Sequence, residues 1–290
     1  MELKKEQSDA YSQFCMPVDT NISLDSVILS ERNKKKIAEF IVETEHKDDF
    51  IAHGLKPVNR IIMYGASGTG KTYLTKALTN YLGYTMLYVD ISSALATGIA
   101  AQSLAEIFKL ANEIETVVIF LDECDAICWA RDDSSNRDDA SIRRANNTLF
   151  QLLDQMNPKC VFVSATNLYK NLDAAFVSRF NVKMEFERPR AAEIDKGIEK
   201  FLGKGFKLDK DVDSWLKEAV LQQVDKEGSF AYRNIRDWVE RVEKTALVSN
   251  TLVVKESDIY NFLMQELRIE VCRYDNGEPY LHQYAKGAYS

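Results

Sequence analysis

The sequence has few residues that bind transition metals, and its cysteine spacing does not indicate a disulfide-bonded scaffold. Its three histidines, His46, His53 and His282, are scattered, and its five cysteines stand at irregular intervals among 290 residues. An odd number of irregularly spaced cysteines in a chain this long favours reduced thiols and a cytoplasmic location. Cys124 and Cys128 could share a helical face and bind a metal, but no second Cys or His pair completes such a site. Two buried thiols are the alternative that we favour.

Long apolar runs and excess positive charge are also missing. No stretch approaches the ~20 consecutive apolar residues that span a bilayer, so we expect no membrane segment. The first residues, MELKKEQSDAYSQF, lack the apolar core of a signal peptide. The formal net charge is -7, which makes nucleic acid an unlikely partner for the surface as a whole. The remaining composition is typical of a soluble globular protein, with room for one large domain and a smaller one.

Short apolar runs alternate with amphipathic segments through the middle of the chain. The pattern predicts strands over 60–64, 85–89, 117–121, 161–165 and 182–186, and helices over 71–82, 101–113 and 142–156. The run at 117–121 is apolar throughout, as expected of a central parallel strand that is covered on both faces. Repeated strand–helix units predict an α/β fold of three layers with a parallel sheet in the middle.

The chain after Pro189 has a different pattern, with helices predicted over 191–202, 211–224, 232–248 and 256–270 and no further strands before the tail. We therefore predict a flexible N-terminal arm at 1–23, an α/β domain at 24–189, a helical-bundle domain at 190–270 and a C-terminal tail at 271–290. In the tail, Asp275-Asn276-Gly277 favours a turn. The tail could therefore form a hairpin, and an unstructured C-terminal end is the alternative. The charged stretch at 131–139 is predicted to be a mobile loop.

A glycine-rich run joins the first predicted strand of this domain to the next helix: Gly65-Ala66-Ser67-Gly68-Thr69-Gly70-Lys71-Thr72. It matches the phosphate-binding pattern G-x-x-x-x-G-K-[ST], and the strand and helix that the pattern requires are both present. Glycines permit backbone turns that side chains would block, so the N–H groups of the loop can bind phosphate oxygens. Lys71 would reach the β- and γ-phosphates, and Thr72 would ligate Mg²⁺. We predict that these residues and the following Tyr73 bind ATP; the alternative is a chance glycine-rich turn.

Two acids follow the apolar run at 117–121. Ligands of parallel sheets bind beyond the carboxyl ends of the strands, so Asp122 is predicted to help hold Mg²⁺ beside the phosphates. Glu123 is the candidate base that orients and polarises the attacking water. The alternatives are a solvated acidic strand end and a small-molecule kinase, which would need a pocket for a substrate hydroxyl. Asp125 is interpreted as supporting structure, with a role in the site as the alternative.

The order of these motifs resembles that of the AAA+ ATPases, especially their AAA branch. The resemblance covers roughly residues 20–270 and is carried by the segments LDSVI at 24–28, YGASGTGKT at 64–72, FLDECDA at 120–126, SATN at 164–167, LDAAFVSRF at 172–180 and SFAYRNIR at 229–236. It implies a P-loop NTPase domain followed by a helical lid domain, and hydrolysis of ATP with Mg²⁺ as cofactor.

The resemblance also implies roles for residues outside the glycine-rich run at 65–72 and the acidic pair Asp122 and Glu123. The backbone near Val27 and Ile28 would contact adenine, and Asn167 would position the water or touch the γ-phosphate. Arg179 would reach into a neighbouring subunit's site, where a planar guanidinium suits developing phosphoryl charge. Arg233 matches a second sensor position. The alternatives are a strand-end cap for Asn167, a surface salt bridge for Arg179 and a solvated helix face for Arg233.

An arginine that acts on a neighbour implies a ring-like homo-oligomer, most often of six subunits, that remodels a protein partner. Threading members of the family carry an aromatic residue in the segment that matches LATGI at 95–99, and this chain has none there, so threading stays open. Two other functions remain as alternatives. One is a nucleotide-gated assembly or adaptor protein with slow hydrolysis, and the other is a DNA-handling loader, which the net charge disfavours.

Overall fold

The computed structural model describes residues 15–129, 140–227 and 230–284, and its contacts divide the chain into two units. The first unit comprises the chain up to Gly65 together with Lys71–Phe186. The second comprises Ala66–Gly70 and the chain from Glu187 onward, so the glycine-rich loop groups with the C-terminal part. Within the described ranges, no helix combines the length and the apolar character that crossing a membrane requires.

The sheet of the first unit is mostly parallel, as predicted. Its strands are β1 (Cys15–Pro17), β2 (Arg60–Gly65), β3 (Thr85–Val89), β4 (Val117–Leu121), β5 (Val161–Thr166) and β6 (Val182–Phe186). They lie in the order β1-β3-β4-β5-β2-β6, and all pairs are parallel except β1 with β3. The predicted α/β fold with a parallel sheet is therefore confirmed.

Strand β4 shows why this sheet has a core on each face. All five of its side chains are buried, as in a strand covered on both sides. Val117, Ile119 and Leu121 belong to one apolar cluster, whereas Val118 and Phe120 belong to another. Because successive side chains of a strand point to opposite faces, one continuous apolar run supplies both layers of packing.

Helices provide the outer layers of the first unit. They are α1 (Glu31–Glu45), α2 (Lys47–Ala52), α3 (Lys71–Leu82), α4 (Ile91–Ala96), α5 (Ala100–Ile114), α6 (Ala140–Gln155) and α7 (Ala174–Val177). Leu74 and Leu78 of α3 belong to the cluster that contains Phe120. Leu104 of α5 and Leu149 of α6 belong to the opposite cluster. The helix that follows the glycine-rich loop is thus fixed against the sheet by leucines one turn apart.

Helix α4 and strand β1 of this unit lie where no helix or strand is predicted. Helix α4 is too short to display an amphipathic period, and it begins where the Asp90 side chain accepts a hydrogen bond from the Ser93 N–H at 3.0 Å. Strand β1 pairs with β3 through register pairs such as Cys15 with Val89, so an edge strand replaces the irregular backbone predicted there. Residues 1–14 of the predicted arm, and the loop predicted at 131–139, lie outside the described residues.

The second unit is mainly helical. Its elements are α8 (Ala191–Phe201), β7 (Lys207–Asp209), α9 (Ser214–Glu227), α10 (Tyr232–Val248), β8 (Val253–Lys255), α11 (Glu256–Leu267), β9 (Ile269–Arg273) and β10 (Pro279–Gln283). Ile198, Trp238 and Leu263 contribute to its core. The expectation that strands stop after Pro189 is wrong, because β7 and β8 form a parallel pair. Strands of three residues are too short for an alternating pattern to reveal them.

Residues 269–283 form a β-hairpin in which β9 and β10 pair antiparallel. Its turn includes Gly277 with a positive φ of 86°, and the Gly277 N–H donates to the Tyr274 carbonyl at 2.8 Å. Helix α11 stops earlier than predicted because Arg268 adopts the left-handed conformation, with φ 53°. Residues 269 and 270, predicted as helix, therefore belong to the first strand of the hairpin.

Candidate active site

Three neighbouring strands, β4, β5 and β2, end beside one another at one edge of the sheet. Asp122 follows β4, Asn167 follows β5, and Gly65 is the last residue of β2. The carboxyl ends of parallel strands form the crevice in which such sheets bind ligands. The topology therefore brings residues from three separate sequence motifs to the same edge.

Lys71, the first residue of α3, is buried although it carries a charge, with 7% of its surface exposed. Its Nζ donates to the Gly65 backbone oxygen and to Asn167 Oδ1, each at 2.8 Å. Burying an ammonium group is costly unless polar partners replace water, and these two oxygens are such partners. A phosphate oxygen also suits this cation, because hydrogen bonds between oppositely charged groups are strong.

The residue after Lys71 meets the acid at the end of β4. The Thr72 hydroxyl donates to Asp122 Oδ2 at 3.1 Å, and Asp122 Oδ1 accepts the Glu123 N–H at 2.9 Å. Both carboxylate oxygens are thus oriented. A hydroxyl and a carboxylate are the hard oxygen donors that Mg²⁺ prefers, and Mg²⁺ usually takes its other ligands from phosphate and water. The donor set at Thr72 and Asp122 fits a magnesium ion held together with a nucleotide.

Glu123 has an unusual backbone conformation. Its φ of 50° and ψ of 43° lie in the left-handed region, which non-glycine residues seldom adopt. Its side chain is exposed, whereas the next residue, Cys124, is fully buried. Strain of this kind concentrates at functional sites, where the surrounding structure holds it in place. The conformation leaves an exposed carboxylate directly beside Asp122.

Gly65 is required by its surroundings. Its φ is 141°, and a Cβ atom at this position would lie 2.0 Å from the Phe186 carbonyl oxygen. Any side chain would therefore force β2 and β6 apart at the point where the glycine-rich loop begins. Position 65 therefore requires glycine both because the neighbouring backbone is close and because its φ is positive.

Comparison with known proteins agrees with this geometry. The family model described as "ATPase family associated with various cellular activities (AAA)" matches residues 61–188. An uncharacterized AAA family ATPase of Sinorhizobium fredii, y4kL, is 27% identical over 263 residues, which are 90% of this chain and 76% of that protein. The chain belongs to the AAA+ ATPase superfamily.

Other relatives of this AAA+ chain carry names that refer to the proteasome. Proteasome-activating nucleotidase 2 of Haloferax volcanii is 30% identical, and the match covers 63% of this chain and 47% of that protein. A putative 26S proteasome regulatory subunit homolog of Methanothermobacter marburgensis is 33% identical over 79% of this chain and 59% of that protein. The chain thus spans about half the length of these two relatives.

The segment that would contact adenine lies against the AAA+ module. Val27 is buried and follows a short 3-10 turn, Leu24–Ser26, with its N–H bonded to the Leu24 carbonyl. Ile28, which follows it, is partly buried. The hydroxyls of Ser26 and Tyr73 lie 2.9 Å apart, so the segment is joined to the helix that follows the glycine-rich loop. This contact gives Tyr73 a structural role that sequence reasoning did not supply.

Arg179 lies against its own chain rather than among the residues at the strand ends. Its Nε and Nη2 donate to the two carboxylate oxygens of Asp154 at 3.0 and 2.9 Å, and its Nη1 donates to the Ala175 carbonyl at 2.7 Å. The guanidinium carbon also lies 4.5 Å from the centroid of the Phe150 ring. The hydrogen bonds from Arg179 lower the pKa of Asp154. The role of Arg179 in a neighbouring site therefore stays a prediction.

The rest of the loop and Arg233 belong to the second unit. The Thr69 hydroxyl donates to the Ala66 carbonyl at 2.8 Å, Thr69 is buried and Ser67 is exposed. Gly68 and Gly70 both have positive φ, at 76° and 105°. The Arg233 N–H donates to the Gly68 carbonyl at 3.2 Å, and its side chain is exposed. The predicted sensor role of Arg233 is neither supported nor opposed by these contacts.

Sequence reasoning missed two residues, one beside the strand-end site and one beside Arg179. Thr166, the last residue of β5, donates its hydroxyl proton to Asp125 at 2.7 Å. Its place directly before Asn167 could have drawn attention to it. Asp154, the partner of Arg179, belongs to α6, and nothing in the spacing of residues marks it.

Proposed function

We propose that the protein hydrolyses ATP in a ring-like homo-oligomer and uses the energy to remodel a protein partner. The observation that carries the proposal is the pair of contacts at the strand ends, Lys71 with Asn167 and Thr72 with Asp122. Each contact joins a residue of the phosphate-binding motif to a residue that follows another strand. This arrangement supports phosphate and magnesium binding at one point.

Each residue at this edge has a chemical task in the proposed reaction. When bound, Mg²⁺-ATP supplies the phosphoryl group and the ion that neutralises its developing charge. The amides of the glycine-rich loop bind phosphate oxygens, and Lys71 binds the terminal phosphates. The exposed Glu123 carboxylate accepts a hydrogen bond from water and takes its proton as the water attacks. Asn167, already bonded to Lys71, holds the water or the γ-phosphate.

The oligomeric part of the proposal rests on Arg179. A guanidinium delivered by a neighbouring subunit would stabilise charge on the transferred phosphoryl group. In the single chain this group is paired with Asp154, so assembly would have to exchange that partner for phosphate. The AAA+ resemblance implies six subunits.

The location of the protein is a separate part of the proposal. Buried cysteines that form no disulfide favour a cytoplasmic setting, and Cys124, Cys128 and Cys160 are of this kind.

A protein partner is favoured by the names of the proteasome-related relatives. The segment at 95–99 would face a central channel. Its exposed large apolar side chain is that of Ile99, which is 38% accessible. Isoleucine offers a peptide less contact area than an aromatic residue does. We therefore propose remodelling of a protein without deciding that a chain is threaded. Protein that co-purifies with the ATP-bound Glu123→Gln form would identify this partner.

The test is the steady-state ATPase rate per subunit measured over a wide range of protein concentration. A ring enzyme should show turnover that rises as subunits assemble, because each site then gains the neighbour's Arg179. ATP-dependent assembly with negligible turnover would instead indicate a nucleotide-gated adaptor. Salt-dependent binding of DNA that stimulates turnover would indicate a loader.

A further inference from the structure

A buried hydroxyl joins the turn that carries Glu123 to the turn that carries Asn167. Thr166 is 1% exposed, and its Oγ1 donates to Asp125 Oδ1 at 2.7 Å. The same oxygen accepts the Leu168 N–H at 2.9 Å. A hydroxyl has one proton, so these two bonds fix its orientation, with the proton toward Asp125 and a lone pair toward Leu168.

The carboxylate at one end of this link is held by the turn after β4. Asp125 is the middle residue of a 3-10 turn, Cys124–Ala126, that begins directly after Glu123. Cys124 is fully buried, and the Ala126 N–H donates to the Glu123 carbonyl at 2.9 Å. A displacement of Asp125 would therefore also displace the backbone of Glu123.

The other end of the link determines where Asn167 lies. The residues on both sides of Asn167 are bonded to the same oxygen, since Thr166 carries it and the Leu168 N–H donates to it. Asn167 is exposed, so this turn, more than side-chain packing, sets the position of its amide. The amide oxygen lies 2.8 Å from Lys71 Nζ, and that distance depends on the turn.

We propose that Asp125 is a positioning residue for ATP hydrolysis, which acts through the Thr166 hydroxyl to set Asn167 relative to Glu123. The inference rests on the proposed function, because it assigns a role within that same site. Neither residue needs to touch ATP. They hold Glu123 and Asn167, the groups that orient the water, at a fixed distance from each other. Small displacements of such groups reduce the rate of the chemical step more than they reduce ATP binding.

The experiment measures kcat, KM and ATP affinity for the full chain with Thr166→Val, Thr166→Ser and Asp125→Ala. The valine and alanine variants should lower kcat roughly tenfold to hundredfold, since about 1 Å of misplacement can have this effect. ATP affinity should stay near the wild-type value, because Lys71 and Thr72 are unchanged. Thr166→Ser retains the hydroxyl and should retain kcat. Thr79→Val is the matched control, because Thr79 is a fully buried threonine whose hydroxyl bonds within α3, to the Thr75 carbonyl at 2.8 Å.

A second comparison separates positioning from general loss of structure. In an Asn167→Ala background, Thr166→Val should cause a much smaller further fall in kcat, because the main group that it positions is gone. An equal further fall there, wild-type kcat in Thr166→Val, or a Thr166→Ser variant as impaired as valine would overturn the proposal. If Thr166→Val does not fold, Asp125→Ala carries the same comparisons. Absence of hydrolysis by the wild-type oligomer would instead refute the proposed function.

Discussion

Two groups of predicted site residues behave differently in this structure. At the strand ends, residues from separate motifs bond one another, as Lys71 does with Asn167 and Thr72 with Asp122. Near the end of α6, the predicted trans-acting Arg179 bonds instead to Asp154 of its own chain. A single chain assembles the first group, whereas Arg179 pairs with an acid of its own chain.

The difference follows from where each group's partner would come from. Residues that serve their own site are brought together by the sheet, so their geometry is present in a single subunit. A residue that serves a neighbour has no phosphate to bind in one chain, and a guanidinium pairs readily with a nearby carboxylate in a bidentate geometry. Substitutions in the two groups should therefore differ in their dependence on assembly.

The largest effect is expected for Arg179→Ala. Turnover should fall roughly thousandfold, because an arginine finger contributes about 10³ or more to the rate of phosphoryl transfer. ATP affinity should hardly change, since Arg179 does not contact the strand-end group. Steady-state phosphate release and equilibrium ATP binding measure the two quantities, with the exposed Arg273→Ala as control. Wild-type turnover in Arg179→Ala would show that the pair with Asp154 is only structural.

Glu123→Gln should reduce turnover about a hundredfold or more while ATP remains bound, because an amide cannot take the proton of the attacking water. Single-turnover hydrolysis of pre-bound ATP isolates this step from binding. Asp209→Asn, an acid of β7 in the second unit, serves as the control. Hydrolysis at the normal rate would exclude Glu123 as the base.

Lys71→Met should weaken ATP binding roughly a hundredfold, since a hydrogen bond to a charged group contributes about 1.5–3 kcal/mol. The loss should be the same in dilute and in concentrated protein, because Lys71 acts within its own chain. Calorimetry or a fluorescent ATP analogue measures it, and Lys76→Met on the same helix is the control. Unchanged affinity would refute the assignment of the phosphate-binding loop.

The smallest effect is expected for Asp154→Asn, which removes one charge of a partly exposed ion pair. The free energy of unfolding should fall by less than ~1 kcal/mol at neutral pH. Because the pKa of Asp154 is lowered from its ordinary 3.8, the contribution is present above that value and lost as the pH falls through the lowered pKa. Urea unfolding at pH 7 and pH 3 should show the difference from wild type shrinking in acid. A difference that persists at pH 3 would have another origin.

Much of the fold follows from the sequence because periodicity and chain order determine it. The run at 117–121 is a fully buried strand, and the helices at 71–82 and 232–248 have the predicted bounds. The missed elements are those set by contacts distant in sequence or by short capping interactions. Strand β1 exists through its pairing with β3, and β7 exists through its pairing with β8.

The candidate site, like the fold, has parts that follow from the sequence and parts that do not. The positions of Lys71, Asp122 and Asn167 follow from motifs placed at the ends of parallel strands. The bond between Asp125 and Thr166 and the pairing of Arg179 with Asp154 depend on side-chain geometry across elements. Spacing along the chain does not encode those contacts, so the sequence could not reveal them.

We propose that each ATP site lies at the strand ends of one subunit and is completed by Arg179 of the next. The direct measurement is phosphate release from a mixture of Arg179→Ala and Glu123→Gln subunits, each nearly inactive alone. Mixing should restore part of the turnover, because Glu123→Gln subunits supply their arginine to sites of Arg179→Ala subunits, in which Glu123 is intact. Mixed oligomers that form and release no more phosphate than either variant alone would contradict it.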